Sequence, residues 1–321
     1  PMAAYWKNST ATNLTNGATS FAWGQAITVD SSGNVYTAGD TGSSVAIEIA
    51  TYWKNGGTPV SLNLPNGANQ SFATGIAVDG GGDVYVAGYT VDSSNVQVAT
   101  YWKNGTSPNP NLILPAGTVV SEANATMVDD SGNVYAAGYT VDSVGDEIAT
   151  YWKNGAAYPV SSATGVAFAY AIAVDSTGNV YTAGYTYNPT AGTWAATYWK
   201  NTTAVSLNLP SGTVDSEAYG IAVDSSGNVY VAGYTDNSSG DSVATYWKNS
   251  DAAVTLPLPS GTEYSDAYAI AVDSSGNVYV AGYTESSSYD TAATYWKNGT
   301  AVNLTSVTSN AALYAIALSS H

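Results

Sequence analysis

The chain of 321 residues has no cysteine, no arginine and a single histidine, His321. Without thiols it has no disulfide, no thiolate metal site and no cysteine nucleophile. Without an internal imidazole it lacks the usual general base and any multi-histidine metal centre. Without arginine nothing can clamp a phosphate or an oxyanion in bidentate fashion. Charge is scarce, at 10% of residues, and it is one-sided: seven lysines against 24 acidic residues give a formal net charge of −17. A nucleic-acid partner needs clustered cations, so this balance speaks against one. No apolar run is long enough to span a bilayer. No stretch keeps a helical period, so no glycine loop leads into a phosphate-binding helix. No cofactor and no metal are expected.

Much else is present. Hydrophobic residues make up 45% and aromatics 12%, including 26 Tyr and 9 Trp, which is enough to build a core and too much for disorder. Low charge with abundant Ser, Thr, Asn and Gly points to a secreted or surface-displayed protein. Pro1-Met2-Ala3 and His321 read as additions, and an exported form is expected to have lost its leader.

The organising feature is a repeat. Tyr-Trp-Lys-Asn begins at Tyr5, Tyr52, Tyr101, Tyr151, Tyr198, Tyr246 and Tyr295, and it holds all seven lysines. Intervals of 47 to 50 residues mark a solenoid or a propeller. Ile-Ala-Val-Asp-Ser-Ser-Gly-Asn-Val-Tyr-Val-Ala-Gly-Tyr-Thr occurs at 221–235 and unchanged at 270–284, with variants from Ile27, Ile76, Thr126 and Ile172. A last fragment, Ile316-Ala317-Leu318, stops short of the motif's second half.

Each unit parses into four short strands, read in the fifth as Tyr219–Asp224, Asn228–Thr235, Val243–Lys248 and Ala253–Leu258. Two-residue alternation and β-branched and aromatic enrichment support strands. Asp-Ser-Ser-Gly-Asn and Lys-Asn-Gly are explicit turn signals. A single four-stranded sheet cannot bury both faces, but stacked copies can, as in a propeller. Complete units are expected near 21–65, 72–115, 122–161, 168–209, 217–258 and 266–305. The pieces 3–15 and 312–319 are expected to share a seventh, closing blade within one all-β propeller domain spanning 1–321. That blade lacks a second strand and could accept a strand donated by a partner.

The Ala-Val-Asp-Ser-Ser-Gly-Asn-Val-Tyr-Val-Ala-Gly-Tyr motif resembles the bacterial seven-bladed propeller repeat called SBBP, a relative of the NHL repeat. The resemblance implies the propeller fold and no single activity.

Within one chain the copies can be compared directly. The loops joining first to second and third to fourth strands hardly change. The loops joining second to third strands (40–45, 91–95, 141–146, 187–192, 236–242 and 285–290) and the inter-blade loops vary. The inter-blade set carries Trp23 and Gln25, Phe72 and Thr74, Glu122 and Asn124, Phe168 and Tyr170, Glu217 and Tyr219, Asp266 and Tyr268, then Tyr314. These are the candidate ligand-binding residues, expected to ring the mouth of a central channel. Aromatic rings stack on apolar sugar faces while carboxylates and amides exchange hydrogen bonds. The alternative is that the rings pack between blades and the carboxylates are merely solvated.

Three other patterns have simpler readings. Asp30, Ser32 and Asn34 and their equivalents faintly resemble a calcium loop, but one carboxylate per turn suits turn capping better than six to eight oxygen ligands. Tyr-Trp-Lys-Asn is expected to pack between blades rather than to stack on sugars. Nine Asn-x-Ser/Thr sequons (Asn8, Asn13, Asn69, Asn104, Asn124, Asn201, Asn237, Asn298 and Asn303) are what an Asn- and Thr-rich chain contains by chance. Glu217 and Asp266 could form a glycosidase-type acid pair, though nothing in the sequence sets their separation. The expected function is therefore a non-enzymatic extracellular binding or scaffold propeller with an unidentified protein or glycan on its variable face. A lectin and a repeat scaffold without defined activity are the alternatives.

Overall fold

The computed structural model describes residues 3–14, 21–44, 47–107, 112–162 and 165–319. The fold is an all-β propeller of four-stranded blades, and the chain divides into two compact units. The first comprises residues 1–159 with 319–321, and the second residues 160–318. Among the described residues no helix is long and apolar enough to cross a membrane.

The first unit begins with a two-stranded hairpin, Ala4–Lys7 and Thr10–Asn13. Three blades follow. The first blade runs Phe21–Val29, Val35–Ser44, Ile47–Lys54 and Val60–Ser61. The second shows three strands, Ala68–Val78, Val84–Asp92 and Gln97–Lys103. Its expected fourth strand falls partly on residues 108–111, outside the described set. The third runs Thr118–Val128, Val134–Asp142, Glu147–Lys153 and Ala156–Pro159.

The second unit holds three complete blades. The fourth blade runs Ala167–Val174, Val180–Asn188, Thr193–Lys200 and Thr203–Ser206. The fifth runs Thr213–Val223, Val229–Asn237, Ser242–Lys248 and Val254–Thr255. The sixth runs Tyr264–Val272, Val278–Glu285, Thr291–Lys297 and Thr300–Asn303. All pairings are antiparallel and sequential, in the order first, second, third, fourth. Segment 312–319, expected as a further first strand, forms no strand. A strand needs a hydrogen-bonded neighbour, and among the described residues no strand pairs with this segment. Instead the Leu313 N–H donates to the Gly282 carbonyl of the sixth blade at 3.1 Å.

Packing between neighbouring blades repeats one recipe inside each unit. Tyr36, Ala38, Ala50 and Leu62 of the first blade meet Ala73, Ile76, Val84, Val86 and Trp102 of the second. Tyr230, Ala232, Ala244 and Leu256 of the fifth meet Ala267, Ile270, Val278, Val280 and Trp296 of the sixth in the same positions. Small alanines on one sheet let the large tryptophan of the next approach closely, at interior density. The motif tryptophans from Trp53 to Trp296 are fully buried. Within the units their indole N–H groups reach back one blade: Trp102 to the Asn63 carbonyl (2.8 Å), Trp152 to Ile113 (3.0 Å), Trp247 to Asn208 (2.8 Å) and Trp296 to Pro257 (3.0 Å). A first-strand serine adds a second bond between blades, as Ser265 Oγ accepts the Ala244 N–H at 2.9 Å. The tryptophan of Tyr-Trp-Lys-Asn is thus a structural wedge, as its near-invariance suggests.

The unvarying turns form a clasp at the other end of each blade. Asp224 Oδ1 accepts the Ser226 and Asn228 N–H groups, while Oδ2 accepts the Asn228 amide (2.8 Å) and the Tyr230 hydroxyl (3.2 Å). Lys248 lies over that tyrosine ring, 5.2 Å from its centre, a cation–π contact. Asn249 adopts a positive φ of 54° and accepts the Val229 N–H at 2.9 Å, closing the hairpin. The Asp carboxylates are therefore occupied by protein donors as turn caps. The sequon residues Asn104, Asn201 and Asn298 do the same hairpin-closing work.

Candidate functional site

Apart from Tyr314, which lies in the strandless segment 312–319, the candidate residues lie on the first strands themselves, not in the loops ahead of them. Backbone pairing continues upstream of them, as Ser216 opposite Thr235 and Ser71 opposite Thr90 show. The expected loops at 40–45, 187–192 and 236–242 are likewise shorter, because second strands run on to Ser44, Asn188 and Asn237.

A β-bulge organises the site in every blade. The register skips one residue between Gly24 and Ala26, Ala73 and Gly75, Ala123 and Ala125, Ala169 and Ala171, Ala218 and Gly220, and Ala267 and Ala269. The residues set out of register are Gln25, Thr74, Asn124, Tyr170, Tyr219 and Tyr268. A bulge re-aims its extra side chain. The glycine opposite the bulge permits it: a Cβ on Gly233 would stand 1.8 Å from the Glu217 carbonyl oxygen. The partner candidate, two residues earlier, faces the second strand: Trp23 opposite Asp40, Phe72 opposite Tyr89, Glu122 opposite Tyr139, Phe168 opposite Tyr185, Glu217 opposite Tyr234 and Asp266 opposite Tyr283. Asp40 and these tyrosines, from the Ala-Gly-Tyr-Thr segment, are site residues that sequence reasoning missed. The signal was available, since the first-strand alternation slips by one residue at each bulge.

In the first unit the bulge residues are short and polar. Thr74 donates to the Ala123 carbonyl of the next blade at 2.6 Å. Phe72 stacks on Tyr89, ring centres 4.8 Å apart. Trp23 stands exposed. Asp40 replaces the usual tyrosine. It is buried and accepts the Ala73 N–H at 2.8 Å. Burial pushes its carboxyl up to about 7, opposed by that hydrogen bond and assisted by Glu48. Burial also raises Glu122, opposed by the Tyr139 hydroxyl. A separate groove of about 600 Å³ in this unit, lined by Asn63, Pro65, Asp92, Val98 and Leu112 among others, includes none of the candidate residues.

In the second unit the bulge residues are all tyrosines, and their rings run from blade to blade. Tyr170 and Tyr219 have centres 4.9 Å apart, Tyr219 and Tyr268 5.4 Å, and Tyr268 and Tyr314 5.4 Å. Phe168, Tyr185 and Trp194 extend the cluster at one end, with Phe168 and Tyr185 5.4 Å apart and Tyr185 and Trp194 5.2 Å apart. Carboxylates alternate with the rings. Glu217 accepts the Tyr219 hydroxyl. Asp266 Oδ2 accepts the Tyr283 hydroxyl at 2.6 Å, with that of Tyr268 at 3.4 Å. Asp266 is 8% exposed, and its Oδ1 has no hydrogen-bond partner among the described residues. Asp236 sits directly opposite Asp215. Its carboxyl is pushed up to about 6, first by burial, then by Asp266, Asp215 and Glu217. Burial, the neighbouring Tyr234 and the Glu217 carboxylate hold the Tyr219 phenol well above its ordinary value, so it stays a neutral donor. Among the described residues no group of three or more acidic or imidazole side chains is placed to hold a metal ion.

The SBBP family, described as a beta-propeller repeat, matches residues 17–45, 162–189, 211–241 and 260–290. The chain carries the SBBP beta-propeller repeat. Three of the four SBBP matches fall on the tyrosine-bearing blades of the second unit. No curated protein matches the chain. Among solved structures it is similar to a puromycin-hydrolyzing peptidase of Mycobacterium tuberculosis, at 13% identity and a TM-score of 0.60, over 94% of this chain and 49% of that one. It is similar to a protein of unknown function from Dyadobacter fermentans, at 8% identity and 0.55, over 82% and 91% of the two chains. It is also similar to the Hadza microbial sialidase Hz136, at 10% identity and 0.52, over 80% and 62%. At these identities the likeness is one of fold. The chain spans about half the length of the peptidase.

Proposed function

We propose that this SBBP chain is a non-catalytic, extracellular binding propeller, and that its ligand lies against the bulge ends of the second unit's blades. The observation that carries this reading is the run Tyr170, Tyr219, Tyr268, Tyr314, interleaved with Glu217 and Asp266. Rings offer flat apolar faces, and the carboxylates and phenols offer acceptors and donors at their edges. That combination suits a polyhydroxylated, glycan-type ligand. Against catalysis by the two acids, each is hydrogen-bonded by a tyrosine of its own blade. The hairpin Ala4–Asn13 carries the same Tyr-Trp-Lys-Asn as the third strands and is, on this reading, the remnant of a seventh blade.

A glycan array tests the reading. Specific binding that Tyr268→Ala weakens about tenfold is expected. An array without hits, or hits indifferent to that substitution, sinks it. Turnover of a polysaccharide that disappears in Glu217→Gln would instead establish an enzyme.

A further inference from the structure

The N-terminal hairpin has the outer half of an arrangement that the blades show whole. Leu14 donates its N–H to the Ala3 carbonyl at 2.9 Å. Bonded pairs alternate along an antiparallel ladder, so Tyr5 and Lys7 bond toward Thr10–Asn13, and the backbone groups of Ala4 and Trp6 point the other way. Their counterparts in the first blade, Thr51 and Trp53, meet Gly39 and Thr37 of the second strand. Ala4–Lys7 belongs to a two-stranded sheet, and among the described residues no strand pairs with that second edge. An unpaired edge is a template for a further strand.

Three side chains show what that edge takes. Asn8 has a φ of 49°, matching the 48–55° of Asn55, Asn104, Asn154, Asn201, Asn249 and Asn298. Each of those six accepts the N–H of the valine that opens a second strand, at 2.8–3.0 Å. Each also gives its own N–H to that valine, as Asn298 does to the Val278 carbonyl at 2.8 Å. Trp6 is partly exposed, whereas the other six motif tryptophans, each faced by a second-strand residue such as Val280 opposite Trp296, are at most 1% exposed. The other six lysines lie over a second-strand tyrosine ring. Lys7 instead donates to the Gly33 carbonyl of the first blade at 3.1 Å.

The six paired copies define the occupant. It is an extended segment that opens with Asn-Val-Tyr and continues with small residues, as Asn277–Gly282 does beside Thr294–Asn298. An intact second copy has no such segment to spare, because each second strand is already paired on both sides. We propose that Ala4–Asn8 is an acceptor edge for a strand donated by a separate polypeptide that carries the SBBP second-strand pattern. Ala4 and Trp6 supply the backbone ladder, Asn8 clasps the Asn-Val pair, and Lys7 moves from Gly33 onto the donated tyrosine ring. Ala4 stands where the six blades have a threonine whose hydroxyl meets one of the second strand, as Thr294 meets Thr284 at 3.0 Å. Recognition therefore rests on the Asn-Val-Tyr end of the donor. This edge shares no residue with the tyrosine run, so it stands or falls apart from the glycan reading.

A fluorescein-labelled peptide of residues 276–285, titrated with the 321-residue protein and read by anisotropy, tests this. Saturable one-to-one binding is expected. Val280→Pro in the peptide removes the N–H aimed at the Trp6 carbonyl and is expected to cost at least tenfold. Thr284→Ala in the peptide is expected to change binding less than twofold. In the protein, Asn8→Gly keeps the positive φ but removes the amide, and it is expected to weaken binding at least fivefold. Asn298→Gly, at the paired clasp of the sixth blade, is expected to weaken it less than twofold. Should Asn8→Gly fail to fold, the proline peptide on the unaltered protein decides. No saturable binding, equal binding of the proline peptide, or an equal loss in the two glycine variants overturns the proposal. A dimer seen by light scattering that the peptide dissociates would place a second copy on the edge and overturn the assignment of a separate donor.

Discussion

The first and second units are built from the same strands, clasps and tryptophan wedges, yet at the bulge they differ by one kind of residue. Gln25, Thr74 and Asn124 occupy it in the first unit, and Tyr170, Tyr219 and Tyr268 in the second. A threonine there ties two blades together through a carbonyl. A tyrosine reaches the next tyrosine and makes a surface that continues over three blades. The bulge is thus a variable socket in a constant frame. The frame is fixed because the glycine opposite the bulge has no room for a side chain.

The largest expected effect would break the claim of a common frame. Gly233→Ala in the second unit and Gly88→Ala in the first each force a Cβ to 1.8 Å from a carbonyl oxygen. Each is expected to lose more than about 4 kcal/mol, or to fail to fold. Urea denaturation reads this. A mild effect in one unit only would mean that the two frames are not equivalent.

Asp40 gives the first unit a pH dependence of its own. Its folded pKa of about 7 lies above the ordinary carboxylate value, so folding favours its protonated form. Its contribution is therefore greatest below about pH 4 and is lost as pH rises toward 7. Asp40→Asn keeps an acceptor for the Ala73 N–H and removes the titration. It is expected to stabilise the protein by up to a few kcal/mol at pH 8 and by nothing at pH 4. Thermal melts across that range show whether the difference vanishes in acid.

The binding comparison is sharpened by paired substitutions. Tyr268→Ala is expected to weaken whatever glycan binds by about tenfold, which is ~1.4 kcal/mol. Asn124→Ala, at the equivalent bulge of the first unit, is expected to change it less than twofold. Equal losses would spread the site over both units.

The smallest effect concerns the wedges. Trp247 donates to Asn208, whereas the Trp53 indole N–H has no partner among the described residues. Trp247→Phe is expected to cost about 1 kcal/mol more than Trp53→Phe, the difference isolating one buried hydrogen bond. Equal costs would mean that packing alone sets the value of the wedge.

How much of this was legible in the chain follows from what each signal encodes. The Tyr-Trp-Lys-Asn spacing and the Asp-Ser-Ser-Gly-Asn turns carry local geometry, so the blades, the capping aspartates and the buried tryptophans could be read directly. The two ends of the strands could not. Whether residues 213–218 are loop or strand depends on hydrogen bonds to 233–237, which no local pattern records. The candidate pairs were found because they vary between copies, but their placement in a bulge was hidden. The alternation slips there by one residue, which imitates the start of a strand. Asp40 was visible as the one departure from Gly-Tyr-Thr, yet its meaning needed the Ala73 N–H from the next blade. Segment 312–319 looks like a first strand in composition and forms none, because among the described residues no strand pairs with it.

The clasp has a practical side. Every lysine is fixed over or beside the turn end of a strand, as Lys54, Lys103 and Lys297 are over Tyr36, Tyr85 and Tyr279. Reagents that couple through side-chain amines, including those that tether proteins to sensor chips, can therefore take hold of a blade only at that end. A blade tethered in this way carries its bulge residue at the far end of its strands from the anchor, which leaves the tyrosines of the second unit clear of the coupling chemistry.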